Sequence, residues 1–346
     1  MLRLVAAFHD QANLCAELGS PFTARLLDGV ADRIQPGTAL TDKLLSWPGE
    51  LSTSGAALPI RLAGGLHALV RQRRDEDLSA AYADPEIDGA RLAATAIGAM
   101  RRHEAFLLEW IQSPPQTNEV RRSTAIIATA HLLTARLGLP MVLSELGASA
   151  GLNLLWDRYV LEIEDRRLGP SDAVLTFRPD WAGSLPDVCP PVVADRAGVD
   201  LNPLDPVIDR QRLLSYIWAD QTDRIERTEA ALRAAERLRP SVTRADAIDW
   251  LASRLAERRT GHLHLVYHTI TWQYLPAEAQ AVGQALLAEA GAKATPDAPL
   301  AHLEMEADGL GRGAGLYLTL WPGGVRQMLG RADFHGRWVD WQPPAV

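Results

Sequence analysis

From residue 1 to about 138, apolar residues recur at spacings of three and four, the period of a helix that buries one face, and no long alternating stretch interrupts them. Breaks fall at Gln35-Pro36-Gly37, Trp47-Pro48-Gly49 and Asp84-Pro85, where proline and glycine end helices. Leu92, Ala96, Ala99, Phe106, Leu107 and Trp110 predict one helix over 90–111 that stops before Pro114-Pro115. A polar cluster from Gln116 to Ser123 then opens another helix reaching about residue 137.

Beyond 138 the pattern changes. Short apolar runs predict strands at 141–145, 198–201, 241–244, 263–268, 300–305 and 316–321, and helical spacing predicts helices at 211–218, 225–237, 248–258 and 277–290. Strand alternating with helix implies a parallel sheet covered on both faces. Residues 315–321 and 337–341, separated by Pro322-Gly323-Gly324 and a short apolar segment, predict an antiparallel pair at its edge. The expected organisation is a helical domain at 1–138 and a Rossmann-like α/β domain at 139–346. The sheet is expected to be mostly parallel with an antiparallel edge strand, and a proline-rich insertion at about 160–195 is expected to form a hairpin over the site. For Trp321, Phe334, Trp338 and Trp341 the alternatives are core and interface, with core the default.

With 346 residues, 47% of them hydrophobic, the chain can bury a large core. Its 35 basic and 43 acidic side chains leave a formal charge of −8, which argues against general binding to nucleic acid or anionic membrane. Cys15 and Cys189 lack paired spacing, so neither a disulfide framework nor a cysteine zinc site is expected, and a reducing cytoplasm fits. The apolar run at the N-terminus is too short for a signal peptide, and no stretch reaches membrane-spanning length without charge or proline. A soluble protein is expected.

The chemistry concentrates in Met141-Val142-Leu143-Ser144-Glu145-Leu146-Gly147-Ala148-Ser149-Ala150-Gly151-Leu152-Asn153, an apolar strand ending in a carboxylate and a glycine-spaced loop. Such glycines let backbone amides approach a ligand. An acid at the strand tip repels pyrophosphate but suits a cationic or hydroxyl-bearing ligand, such as the methionine and ribose parts of S-adenosylmethionine. The same loop matches the G-x-S-x-G elbow of serine hydrolases, but several strands precede that elbow, whereas here the upstream chain is helical. Chain order favours the nucleotide site.

Acids at successive strand ends converge on one crevice in an open parallel sheet, which adds Asp200 and Asp246 to Glu145. Each also has an ordinary reading, as a turn residue before Pro203 and as a helix N-cap. In Tyr267-His268-Thr269-Ile270-Thr271-Trp272-Gln273-Tyr274, His268 can relay a proton while Trp272 and Tyr274 wall a pocket. His262, His264 and His268 share alternation parity, yet nothing at ligand spacing supports a metal, and none is expected. Gln116, Asn118, Glu119 and Arg122 offer an arginine fork and amides for a substrate, or simply a capped helix start.

Gln116-Thr117-Asn118-Glu119-Val120, the run 145–153, Asp157-Arg158-Tyr159, Gly198-Val199-Asp200-Leu201-Asn202-Pro203-Leu204-Asp205 and Tyr267-His268-Thr269 together resemble the bacterial family designated DUF2332, over most of the chain. That resemblance implies a fold rather than a reaction. More distantly the chain resembles class I S-adenosylmethionine-dependent methyltransferases, which implies an acid-glycine loop at 145–151, a ribose-binding acid at Asp200 and an adenine-side acid at Asp246. It departs from their pattern with Ser149 where a glycine commonly stands, and with the long insertion before the second strand. The expectation is therefore a methyltransferase. Glu145, Gly147, Ser149, Gly151, Asn153, Asp200 and Asp246 would hold S-adenosylmethionine, His268 and Tyr274 would be catalytic, and Gln116, Asn118, Arg122 and Trp272 would bind a small-molecule substrate. The alternatives are a hydrolase using Ser149 with His268 or His302, and a non-catalytic nucleotide-binding or sensory protein on the same scaffold.

Overall fold

The computed structural model describes residues 1–53 and 55–344. The chain divides into two compact units, Met1–Thr117 with Ile208–Glu229, and Asn118–Val207 with Ala230–Val346. In the first, α1 (Leu2–Glu17), α2 (Pro21–Arg33), α3 (Ala39–Leu45), α4 (Leu58–Arg71), α5 (Glu76–Ala83), α6 (Gly89–Arg102) and α7 (Glu104–Trp110) enclose a core that buries Leu4, Phe8, Leu27, Leu62 and Leu92. Asp75 and Asp88 cap α5 and α6, accepting the Leu78 and Arg91 amides at 2.9 and 3.2 Å. The single helix expected over 90–111 is broken at His103, which leaves helical geometry at φ −116° and pairs its ring with the buried Asp75 at 2.9 Å.

The division at 117 and 118 differs from the boundary expected at 138, and 208–229 returns to the helical unit. The tie is specific. His67 of α4 donates to the carbonyls of Ser215 and Ile217 at 3.2 and 3.0 Å, and the ring of Tyr216 packs over Gly64, which has no side chain to obstruct it. Burial first, and then Arg71, lower His67 to about 4, so this ring is neutral at physiological pH. Local periodicity cannot register a pairing this distant in sequence.

The second unit begins with α8 (Ser123–Leu137) and is built on a nine-stranded sheet. Its strands are β1 (Met141–Leu146), β5 (Asp180–Gly183), β6 (Val193–Asp200), β7 (Val242–Arg244), β8 (Leu263–Thr269), β9 (Leu300–Glu306), β10 (Ala314–Trp321), β11 (Val325–Ala332) and β12 (Trp338–Trp341), in the order β5-β12-β11-β10-β9-β8-β1-β6-β7. From β7 to β9 all neighbours are parallel. The expected antiparallel edge strand is a larger arm. β10 pairs with β9 and β11, β11 pairs with β12, and β5 adds parallel to β12. The segment expected only to connect two edge strands is itself β11, because its backbone bridges β10 and β12. In the insertion, β2 (Tyr159–Ile163) and β3 (Arg166–Leu168) form a hairpin, with β4 (Leu175–Phe177) parallel to β2. The helices α9 (Arg210–Ser215) and α10 (Thr222–Leu238) follow β6, and α11 (Ala247–Ala256) and α12 (Ala277–Ala292) follow β7 and β8.

All six residues of β1 are buried, so both faces of the sheet are covered there. Alternation places Val142, Ser144 and Leu146 on one face with Val266 and His268, under α11 and α12. Leu143, Glu145 and Tyr267 point to the other, where the 3₁₀ turn Asn153–Arg158 lies. Asp157 anchors that turn to β6 through a bidentate pair with Arg196 at 2.6 and 2.8 Å, and Arg196 also donates to the Leu154 carbonyl at 2.7 Å. Among the described residues no helix is long and apolar enough to cross a membrane.

Replacing Asp157 with alanine would leave the half-buried Arg196 guanidinium without its carboxylate, at a cost of about 3–5 kcal/mol. The thermal midpoint of the second unit should fall by roughly 10 °C; an unchanged melting curve would show that the turn is held by other contacts.

Candidate functional site

From β1 the chain moves outward through β6 to β7, then crosses to β8 and β9 on the other side of β1. The direction of strand order therefore switches between β1 and β8, where the carboxyl ends of parallel strands part and ligands enter. The loop after β1 sits at this point. Gly147, Ser149 and Gly151 all take positive φ, at 70°, 53° and 71°, a conformation that costs the serine free energy and the glycines little.

The loop amides face inward. Gly147 and Ala148 donate to the Val199 carbonyl at 2.9 and 3.0 Å, Gly151 to the Ala148 carbonyl at 2.7 Å, Ser149 to Asp200 Oδ2 at 2.9 Å, and Leu152 to Asn118 Oδ1 at 2.9 Å. The expectation that glycine spacing opens these amides to a ligand is corrected on this point: five of them are spent within the protein. The glycines instead admit neighbouring side chains. A Cβ on Gly147 would collide with Thr271, and one on Gly151 would crowd Pro240 and Val242 at 3.0 Å.

Glu145 is the exception to this internal pairing. It is 2% exposed, and its Oε2 has no hydrogen-bond partner. Burial chiefly, and then the charge of Asp200, push its carboxyl well above the usual range, against the opposing pull of Arg122 and Tyr267. Tyr267, wholly buried beside it in the next strand, donates to the Asn153 carbonyl at 3.1 Å. Asn153 is fixed by Ser123 Oγ at 2.8 Å and reaches the Glu119 carbonyl at 3.3 Å. The arginine fork expected to take a substrate carboxylate is turned to backbone: Arg122 donates to Thr269 and Phe334 carbonyls at 3.0 and 2.9 Å.

His268 and Trp272 lie on the opposite face of the sheet from Glu145. His268 is fully buried, with both ring nitrogens engaged, Nδ1 with Glu306 at 2.7 Å and Nε2 with His302 Nε2 at 3.0 Å, and it stacks on Trp272 at 4.8 Å between ring centroids. It is not in direct reach of a substrate. Asp200 accepts the Ser149 and Asn202 amides, whereas Asp246 is exposed and caps α11 through the Ile248 and Asp249 amides at 2.8 and 3.2 Å. Tyr274 is 69% exposed, and Gln116 belongs to the first unit. Glu145, Ser149, Asn153 and Asp200, with Asn118, thus gather around one loop, while Asp246 caps α11 and Tyr274 stands exposed. The residues missed in sequence are Tyr267, Glu304 and Glu306. The alternation His302, Glu304, Glu306 along β9 was the available signal, since three polar residues on one face of a buried strand need partners. Among the described residues no group of three histidine, cysteine or acidic side chains is arranged to hold a metal.

The sequence profile of the family described as "Uncharacterized protein conserved in bacteria (DUF2332)" matches residues 5–341, across both units. No curated protein matches the chain.

The Glu145 environment has a consequence for stability. An unfolded glutamate ionises near pH 4.3, and in the fold this carboxyl holds its proton to higher pH, so its contribution is complete below that value and is lost as pH rises. Glu145→Gln should therefore match the wild type near pH 4 and exceed it at pH 8, with a midpoint higher by about 2–4 °C for each kcal/mol. A melting difference that is constant or reversed with pH would contradict this.

Proposed function

The chain belongs to the bacterial family DUF2332, and we propose that in it the second unit is an S-adenosylmethionine-dependent methyltransferase acting on a small molecule. One observation carries this reading: a buried carboxyl group with an unpartnered oxygen, Glu145 Oε2, at the carboxyl end of the strand where the order of the parallel strands changes direction. A site of that kind calls for a hydrogen-bond donor, preferably cationic, and disfavours phosphate. The inward-turned loop amides point the same way, because the five that bond to protein oxygens are not offered to a pyrophosphate.

In this reading Glu145 receives an ammonium or hydroxyl group of the cofactor. Asp200, which accepts the Ser149 and Asn202 amides, holds its carboxylate beside the same loop. The positive-φ loop and Asn153 set the floor against which the ligand rests. When bound, S-adenosylmethionine would supply an electrophilic methyl group. What the protein adds is alignment and exclusion of water, so a strong general base is not required. The strand order β7-β6-β1-β8-β9 supports the reading, since the acid-glycine loop follows the middle strand of the five parallel ones.

Ser149, at φ 53° within G-x-S-x-G, favours a serine hydrolase as the second reading. Against it, both nitrogens of His268 are committed, and His302 is tied to His268 rather than to the loop.

Equilibrium dialysis with S-adenosylhomocysteine, after removal of any copurified ligand, tests the proposal. The wild type should bind at one site, NAD should not compete, and Glu145→Ala should weaken binding roughly 10–100-fold, the loss of one charge-assisted contact. No binding, or covalent labelling of Ser149 by a fluorophosphonate, would overturn it in favour of the hydrolase or of neither.

A further inference from the structure

The loops that follow β1 and β8 flank the point where strand order switches, and they touch each other. A Cβ on Gly147 would collide with the side chain of Thr271, so Thr271 fills the notch that the glycine leaves. The residue before it, Ile270, takes φ 54°. For a β-branched side chain this left-handed conformation is costly, and it persists only where surrounding contacts impose it.

Three sets of contacts impose it here. Arg122, whose charge also acts on Glu145, donates to the Thr269 carbonyl at 3.0 Å. The Ile270 amide donates to the Met305 carbonyl at 2.8 Å. From the face of the sheet opposite Glu145, Glu306 Oε1 accepts the Thr271 and Trp272 amides at 2.8 and 3.0 Å, and His268 Nδ1 lies 2.7 Å from the same oxygen. Burial would raise this carboxyl, but His268 and the two amides outweigh it and keep it below its usual range, so it is a carboxylate at neutral pH. Backbone amides are obligate donors, so the hold on Thr271 and Trp272 does not depend on the charge of His268.

We propose that Glu306 is a positioning residue for the Glu145 site: acting from across the sheet, it holds Ile270 in its strained form, which seats Thr271 against Gly147 and fixes the loop 147–151. The proposal rests on the reading of that loop as a ligand site. Strain stored beside the switch point of a parallel sheet, and held there by a largely buried carboxylate, keeps a site in one geometry before its ligand arrives. Glu306 touches no ligand in this account, and Thr271 carries its effect to the loop.

Amide hydrogen exchange of the full chain, followed residue by residue by NMR, tests this without any ligand. Glu306→Leu should speed exchange at Thr271, Trp272, Gly147 and Ala148 by roughly tenfold or more, while amides of α2 and α6 in the first unit keep their wild-type rates. Glu306→Gln retains an oxygen acceptor for the two amides and should restore most of the protection. Thr271→Ala leaves the bonds to Glu306 in place and should speed exchange at Gly147 and Ala148 alone, which also carries the test if Glu306→Leu does not fold. Affinity for S-adenosylhomocysteine, measured in parallel, should fall about tenfold in Glu306→Leu and Thr271→Ala and recover in Glu306→Gln. Three results would overturn the proposal: wild-type exchange at Gly147 and Ala148 in either disruptive variant, protection lost equally in Glu306→Gln and Glu306→Leu, or undiminished affinity in a variant whose loop exchange has risen. If the wild type binds no S-adenosylhomocysteine, the methyltransferase reading fails, while the exchange pattern still decides the role of Glu306.

Discussion

A polar group on a strand enclosed from both sides must find a partner inside the protein, and this requirement governs the second unit. β1 has no exposed residue, and its neighbours β6 and β8 are parallel to it, which demands crossover connections that cover both faces. Water is thereby excluded from every side chain the strand carries. Two of these are polar, and the protein treats them differently.

Ser144, near the middle of the strand, is fully satisfied. Its hydroxyl meets His264 Nε2 at 2.8 Å and accepts from Arg254 at 3.1 Å, and Arg254 in turn pairs with Asp195 at 2.8 Å. The cavity at that end, lined by Val142, His264 and Leu300, holds about 30 Å³, space for one or two waters at most. Glu145, one residue further along and on the other face, keeps an orphaned oxygen. A fold that pairs one polar side chain so thoroughly and leaves its neighbour with an unpartnered atom carries an electrostatic cost there, and such places are where ligands restore the balance.

Much of this was legible beforehand. The strand, its terminal acid and the special backbone of 147–151 follow from apolar run, carboxylate and glycine spacing, and the parallel order from alternation of strands with helices. The meaning of the glycines was not legible. Close approach is real at Gly147 and Gly151, but what approaches is Thr271, Pro240 and Val242, and spacing alone cannot distinguish a side chain from a ligand. β11 escaped because its exposed residues cluster in its first half and its buried ones in its second, so it shows no clean alternation. The partner of His268 lies 38 residues away in Glu306, and only the register of β8 with β9 brings them together. The return of 208–229 to the helical unit was hidden for the same reason, since the contacts of His67 and Gly64 are 148 to 150 residues distant at the histidine. What the sequence shows poorly, throughout, is which long-range neighbour satisfies a buried polar group.

The central claim is that Glu145 waits as a neutral buried carboxyl for a donor. Calorimetric titration with S-adenosylhomocysteine near pH 7, repeated in buffers of different ionisation enthalpy, counts the protons exchanged on binding. A carboxyl held above its usual range by burial should ionise when an ammonium or hydroxyl donor reaches it, so the account predicts net proton release by the wild type and none by Glu145→Gln. Binding without proton release, or with equal release in both proteins, would contradict it.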